Sequence, residues 1–349
     1  MRLAIRQHLP NQRVMWADSQ RALVVRGYRA WWQESSGTRS PAGGLRLAWP
    51  WHLLAHMRVV RHGLRLGFHN LWPTRDGGLV GVAKKRLVRL EPGERHFRVT
   101  GRLRFGNKPC FRGFCVTPTG EVYYGEYCLN PGRSRPIGFY RSQDGGRTYE
   151  QRYEFPAGQV RHIHFVQWDP WEECIWMGTG DADRECWMFR SRDGGRTWDP
   201  IGGGSQLWRS LGVAFTRDSV YWGTDAGLDS GQTRNHIVRW RRSARQAVSV
   251  QEVQGPCHGN LGHEDGTVIV STGVERGANE KDRFAHLWAS RDGGRWEEIG
   301  RWRKDRWPGV VQFGVVHFAP GGQGKPLFWF TCRGLRGGGE TANAAALAD

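Results

Sequence analysis

Three stretches decide the fold: Ser142-Gln143-Asp144-Gly145-Gly146-Arg147-Thr148-Tyr149, Ser191-Arg192-Asp193-Gly194-Gly195-Arg196-Thr197-Trp198 and Ser290-Arg291-Asp292-Gly293-Gly294-Arg295-Trp296. They align without gaps, the third lacking its Thr, and share the pattern Ser-x-Asp-x-Gly-x-Thr-Trp. By its chemistry the pattern is a hairpin turn. The carboxylate accepts from nearby backbone amides, glycine takes up positive φ, and the terminal aromatic packs inward. One copy would be weak evidence; three in register make an internal repeat.

Outward from these turns the register continues. Arg141, Arg190 and Arg239 are spaced 49 residues apart, and each closes a short strand-like run, such as Trp187-Met188-Phe189 before Arg190. Arg239 marks a unit whose Asp turn has decayed, and Leu87-Val88-Arg89-Leu90-Glu91-Pro92-Gly93 marks another. Each unit reads as three strands, the Asp turn and an outer strand. Second strands stand out as Leu79–Ala83, Glu121–Gly125, Cys174–Gly178, Val220–Gly223, Val268–Ser271 and Leu327–Phe330, rich in β-branched and aromatic residues and bounded by Gly, Asp or Pro. Val14–Ala17 and Ala22–Val25 add a further unit. The expectation is an all-β chain forming one β-propeller over residues 1–349, of seven blades, with six as the alternative. A closure blade shared by the two ends of the chain protects the strand edges. Residues 31–60, with Ser35-Ser36-Gly37 and Pro41-Ala42-Gly43-Gly44, are expected to contain an insertion or long loop.

A net charge of +18 suggests a polyanionic partner, although only six of the 51 basic residues are Lys, an Arg bias that genome composition alone also produces. The arginines are scattered through every unit without a reading motif, so nucleic acid is not the expected partner. No run of eighteen apolar residues occurs, and the opening Met1–His8 lacks a signal-peptide hydrophobic region, so no membrane association is expected. Seven cysteines form neither a CxxC pair nor an even framework, which reads as reduced thiols and a cytoplasmic location. Most of the nineteen Trp are assigned to packing between blades, with Trp72, Trp208 and Trp307 held as candidate sugar-stacking platforms.

The Asp turn joins the third and outer strands, so it shares a face with the turn between the first and second. Function is expected on the opposite face, where first strands begin and second strands end. Those positions supply His69, Arg112, Arg161, His162, His164, Arg209 and His258 from the first strands, and Glu126, Tyr127, Asp181 and Asp225 from the second. Strand alternation puts His162 and His164 on one side. That suits a paired imidazole site, a metal-ligand pair, or two hydrogen-bonded core histidines.

The three turns and their period resemble the Asp-box (BNR-type) repeats of the sialidase superfamily, across roughly residues 70–335. The resemblance implies structural roles for Asp144, Asp193 and Asp292, on the face away from the site. The N-terminal Phe-Arg-Ile-Pro-type motif of true sialidases has no counterpart; the nearest string is Phe111-Arg112-Gly113-Phe114. Gly125-Glu126-Tyr127, Arg161-His162-Ile163-His164 and Gly178-Thr179-Gly180-Asp181 look more like bacterial propellers found among polysaccharide genes. They are also loosely similar to seven-bladed uronate-specific polysaccharide lyases. That likeness implies an acidic polysaccharide or oligosaccharide as partner and β-elimination at a uronic acid. Elimination needs the carboxylate neutralised, a base for the adjacent C–H and an acid for the leaving oxygen. Arg161, Arg112 and Arg209 would neutralise, His162 would be the base and Tyr127 the donor. Asp181 would be a further catalytic group, with His69, Glu126, Asp225 and His258 binding substrate. A divalent metal such as Ca²⁺, held by His164 and Asp183 or Asp181, would neutralise instead. Two alternatives stay open. One is a glycosidase using Glu126, Asp181 or Asp225, or Tyr127 with Glu126; the other is a non-catalytic propeller that binds glycan or protein.

Overall fold

The computed structural model describes the chain except for residues 48, 50–53, 55, 56, 58, 59, 61–63, 65, 228, 229, 231–233, 276, 278, 325, 326, 338 and 349. Among the described residues, seven four-stranded antiparallel sheets follow one another as the blades of a propeller. Blades 1 to 6 take residues 13–44, 68–102, 114–155, 162–203, 214–253 and 257–303 in chain order. Blade 7 is composite. Val315–Phe318, Phe328–Leu335 and Gly339–Ala348 form its first three strands, and Arg2–Pro10 pairs antiparallel with Gly339–Ala348 as the outermost. The ring is therefore closed by the N-terminal strand lending itself to the C-terminal blade, and blade 1 is complete without help from the C-terminal end.

Second strands are apolar throughout because neighbouring blades cover both of their faces. Leu79–Ala83, Val122–Gly125 and Ser219–Gly223 are buried at every position. Trp176, Trp222 and Trp329 sit fully buried on three such strands and pack between blades. Outer strands, with water on one side, mix exposed and half-buried residues, as in Arg98–Arg102.

Residues 31–44 are regular blade. Arg29–Glu34 and Arg39–Gly44 are the outer two strands of blade 1, joined by a tight turn in which Gly37 has φ +97°. An outermost strand tolerates Pro41, Gly43 and Gly44 because one edge needs no ladder partner, and this composition imitates a loop. The remainder of the expected insertion, from residue 48, lies largely outside the described residues.

The three Ser-x-Asp turns are built alike. Asp144 Oδ1 accepts from the amides of Arg147 and Thr148, each at 2.9 Å, Oδ2 accepts from the Thr148 hydroxyl at 2.7 Å, and the Ser142 hydroxyl accepts from the Gly146 amide at 2.8 Å. Asp193 repeats these bonds with Arg196 and Thr197. Asp292 accepts from Gly294 and Arg295 in a turn that is shorter by the missing Thr. Each turn links a third strand to an outer strand and leans on the preceding blade. A Cβ on Gly146 would lie 2.2 Å from Val80, and one on Gly195 would lie 2.2 Å from Phe139, so both glycines are sterically required. Arg147 extends the contact by pairing with Glu91 at 2.6 Å and Asp76 at 3.1 Å in blade 2.

Losing the Asp193 carboxylate removes a local cap, so Asp193→Ala should cost roughly 1 kcal/mol in urea unfolding. Burial alone would raise the Asp144 and Asp193 carboxyls, but the turn hydrogen bonds outweigh it and hold both at about 2. Their folded values lie below the unfolded value of about 3.9. The stability they give is therefore fully present above about pH 4 and is lost as the pH falls toward 2. Thermal melts of an Asp144→Asn/Asp193→Asn double variant should show a shallower decline over that interval than the parent protein.

Candidate functional site

Antiparallel pairing puts the starts of the first strands and the ends of the second strands at one rim of the channel, and the Ser-x-Asp turns at the other. At the first rim, the pairing of first with second strand skips one residue in four blades: Met15, His69, His164 and His258. Such bulges re-aim a side chain. Opposite two of the bulged histidines the second strand has glycine. A Cβ on Gly180 would lie 2.5 Å from the His164 ring, and one on Gly273 would lie 2.3 Å from the His258 ring. The glycines give each imidazole room beside the backbone.

The densest group joins His162 and His164, on the first strand of blade 4 (His162–Asp169), with Asp181 just past the second (Cys174–Gly180). His162 Nε2 is 3.0 Å from His164 Nε2, His164 Nε2 is 3.0 Å from Asp181 Oδ1, and His162 Nε2 is 3.5 Å from the same oxygen. All three residues are buried. Behind them, His162 Nδ1 faces the Cys128 carbonyl at 3.1 Å and His164 Nδ1 faces the Ser210 carbonyl at 3.2 Å. A carbonyl only accepts, so both Nδ1 atoms carry a proton, and a ring in its neutral form presents an Nε2 lone pair. Burial pulls His164 below its ordinary value, against the pull of Asp181, which keeps that ring neutral near pH 7. Two lone pairs and a carboxylate oxygen thus converge on one point, an arrangement that calls for a cation or a shared proton between them. Burial would by itself raise the Asp181 carboxyl, but a proton carried by the His162 and His164 pair and donated to it holds that carboxyl far below the usual carboxylate range.

Arg161 donates to Asp181 Oδ2 at 2.6 Å, and Arg209 lies 3.2 Å from Oδ1. The Tyr127 ring sits 4.1 Å from the His162 ring, centre to centre, at 32°. Burial pushes the Tyr127 phenol up, so it stays protonated. Arg209 also reaches toward Asp225, with Nε 3.7 Å from Oδ2, and so leads to a second group made of Asp225, His258 and Glu275. His258 Nε2 and Glu275 Oε1 are 2.8 Å apart. Burial would lower His258, but the bond and charge of Glu275 outweigh it and raise the ring above its ordinary value. Burial and the Glu275 charge push Asp225 up to about 7, against the pull of Arg209.

Of the residues expected from sequence, His162, His164, Asp181, Arg161, Arg209 and Tyr127 come together, with Asp225 and His258 beside them. Three do not join. Asp183 is exposed and accepts from Gln206 at 2.7 Å, because the short helical turn Asp183–Glu185 carries it away from His164. Glu126 is buried in a two-pronged pair with Arg104, at 3.1 and 2.8 Å, and takes the Gly138 amide at 2.8 Å. It faces the opposite way from Tyr127, and the two form no pair. Arg112 lies deeper. The segment 103–113 between blades 2 and 3 turns into the channel: the Phe111 ring lies against His317 of blade 7 at 4.8 Å, its carbonyl accepts from Asn70 of blade 2 at 2.9 Å, and the Arg112 carbonyl accepts from Val166 of blade 4 at 2.8 Å. This crossing, and the Cys128 and Ser210 carbonyls that orient the imidazoles, have no sequence signal, since backbone acceptors are present in every residue.

A metal is tested by spacing and donor type. Bonds of about 2.1 Å meeting at about 90° to 110° set donors about 3.0 to 3.4 Å apart, close to the spacing of the three atoms here. Imidazole nitrogen suits transition metals, whereas Ca²⁺ prefers an all-oxygen shell, so the donors fit a transition metal better than the Ca²⁺ expected from sequence. The carbonyl partners on both Nδ1 atoms are the outer shell that ligating histidines usually have.

The sequence matches no protein-family model and no curated protein. Solved structures of similar shape include an oligogalacturonate lyase in complex with manganese, with a TM-score of 0.61 and 9% identity over 97% of this chain and 91% of that one. A streptogramin B lyase gives 0.58 and 11% identity over 99% and 97% of the two chains. The GH74 xyloglucanase from Xanthomonas campestris gives 0.58 and 16% identity over 85% of this chain and 46% of its own. At these identities the likeness establishes the propeller, a fold whose solved examples include carbohydrate-active enzymes.

Proposed function

We propose that the protein is a metal-assisted polysaccharide lyase that cleaves an acidic glycan by β-elimination at a uronic acid, within the sialidase-like group of Asp-box propellers. The observation that carries this reading is the convergence of the His162 and His164 lone pairs with Asp181, beside Arg161, Arg209 and Tyr127. His162, His164 and Asp181 would hold the cation, and the manganese complex of the similarly shaped oligogalacturonate lyase supports a metal of this kind. When bound, the cation supplies positive charge that neutralises a uronate carboxylate and so acidifies the adjacent C–H.

The chain's own groups do the rest. Arg161 and Arg209 make the rim electropositive and favour an anionic sugar. Tyr127, held protonated by burial, is the donor for the departing glycosidic oxygen. His162 is a ligand in this reading and leaves the role of base, which passes to Asp225, a buried carboxylate beside Arg209.

The test is a panel of uronate-containing and sialylated oligosaccharides, followed by both unsaturated-uronate absorbance and reducing ends. New ends with absorbance support the lyase, ends alone would make it a hydrolase, and neither signal would leave a binding propeller. With a turned-over substrate in hand, Asp225→Asn and Tyr127→Phe should each lower kcat by about a hundredfold or more with little change in KM. His164→Ala should weaken Mn²⁺ or Zn²⁺ binding by about ten- to a hundredfold in calorimetric titration. Undiminished metal binding in that variant would remove the imidazole pair from the metal site.

A further inference from the structure

The opposite end of the channel, on the face of the Ser-x-Asp turns, opens into a cavity of about 710 Å³. That volume lies within the range of small-molecule sites. Four half-buried indoles line it, Trp16, Trp72, Trp168 and Trp171, drawn from blades 1, 2 and 4. Its polar residue of most consequence is Arg112, brought there by the segment that crosses the channel. The guanidinium makes no hydrogen bond or ion pair with any described residue, and its Nη1 is shut off from solvent without a partner. Burial lowers Arg112 to about 10, which leaves it charged at neutral pH.

Several other polar groups are paired. Gln167, which also lines the cavity, is satisfied at both ends of its amide by Val213, each bond being 2.9 Å. Arg104 is paired with Glu126, and Arg242 with Asp169 and Glu172. A buried charge is costly unless it is paired, and a guanidinium fork fits a carboxylate with two parallel bonds. Aromatic walls, in turn, favour a ring with an apolar face. At the rim, Arg217 lies over the Trp171 ring at 5.0 Å and adds positive charge, while Glu264 is a carboxylate on the same rim.

We infer that this mouth is a second, non-catalytic binding site for a carboxylate-bearing ring compound, a uronic-acid saccharide or an aromatic acid, whose carboxylate pairs with Arg112 and whose ring lies among the tryptophans. The site is independent of the elimination chemistry. His164 and Gln167 are three positions apart on one strand, so the two sites occupy successive levels of the same channel.

Tryptophan-fluorescence titration tests it with three probes: digalacturonate, its neutral methyl ester, and indole-3-acetate. Saturable quenching is expected with at least one acid, and the acid that binds identifies the source of the carboxylate. The ester should bind about tenfold or more weakly than the free acid, and Arg112→Gln should weaken the acid by a similar factor. Trp171→Ala, on an exposed turn remote from the blade cores, should do the same and covers the case in which Arg112→Gln fails to fold. His164→Ala should leave this binding unchanged even where it abolishes metal binding or turnover. No saturable binding of either acid, or wild-type affinity in folded Arg112→Gln and Trp171→Ala, overturns the inference. So does binding that His164→Ala removes while Arg112→Gln does not.

Discussion

The structure depends on closure of a ring. Each second strand is apolar on both faces, so no blade satisfies its own surface, and every blade needs a neighbour on each side. Seven such sheets meet this requirement only if the last also meets the first, and the pairing of Arg2–Pro10 with Gly339–Ala348 provides that join. The Ser-x-Asp turns work at a smaller scale. They fix the angle between neighbouring blades by resting on the preceding one, through Gly146 on Val80 and Arg147 on Asp76 and Glu91.

With the blades fixed, the inner strands set the chemistry. Four of the first strands are bulged near their starts, at Met15, His69, His164 and His258, and such bulges re-aim a side chain. His164 and His258 are instances of one backbone device, with Gly180 and Gly273 as matching clearances. What distinguishes the blade 4 site is the set of carbonyls behind the imidazoles. Because Cys128 and Ser210 take the Nδ1 protons, a neutral ring has only its Nε2 lone pair to offer, and Asp181 adds a carboxylate oxygen at the same point. At blade 6, Glu275 faces His258 directly, and the pair is content as an ordinary ion pair.

The blade count was legible because it follows from the period and the antiparallel order. Ser142, Asp144 and Gly146 announce their turn by type and spacing, and runs such as Val268–Thr272 announce a strand buried on both sides. His162, Tyr127, Arg161 and Asp181 could be brought together from register alone. Other features were hidden for physical reasons. Pro41 and Gly43 imitate a loop because an outermost strand tolerates residues that a central one does not. Glu126 and Tyr127 are neighbours in sequence, and nothing local says that one turns to Arg104 and the other to His162. The path of Phe111 and Arg112 across the channel depends on partners in blades 2, 4 and 7, contacts far apart in the chain and without a pattern of their own.

The closing strand also has a bearing on how the protein is made. Residues 2–10 leave the ribosome before any blade exists, and the strand they pair with is synthesised more than three hundred residues later. Throughout that interval blades 1 to 6 can assemble in sequence while the first segment waits as an unpaired strand. Exposed Arg2 and Arg6, and Pro10 at its end, are residues that discourage pairing with other chains. Completion of the ring is therefore the last step in assembling the propeller, and the delay exposes the apolar flanks of blades 1 and 6 until Gly339–Ala348 has emerged.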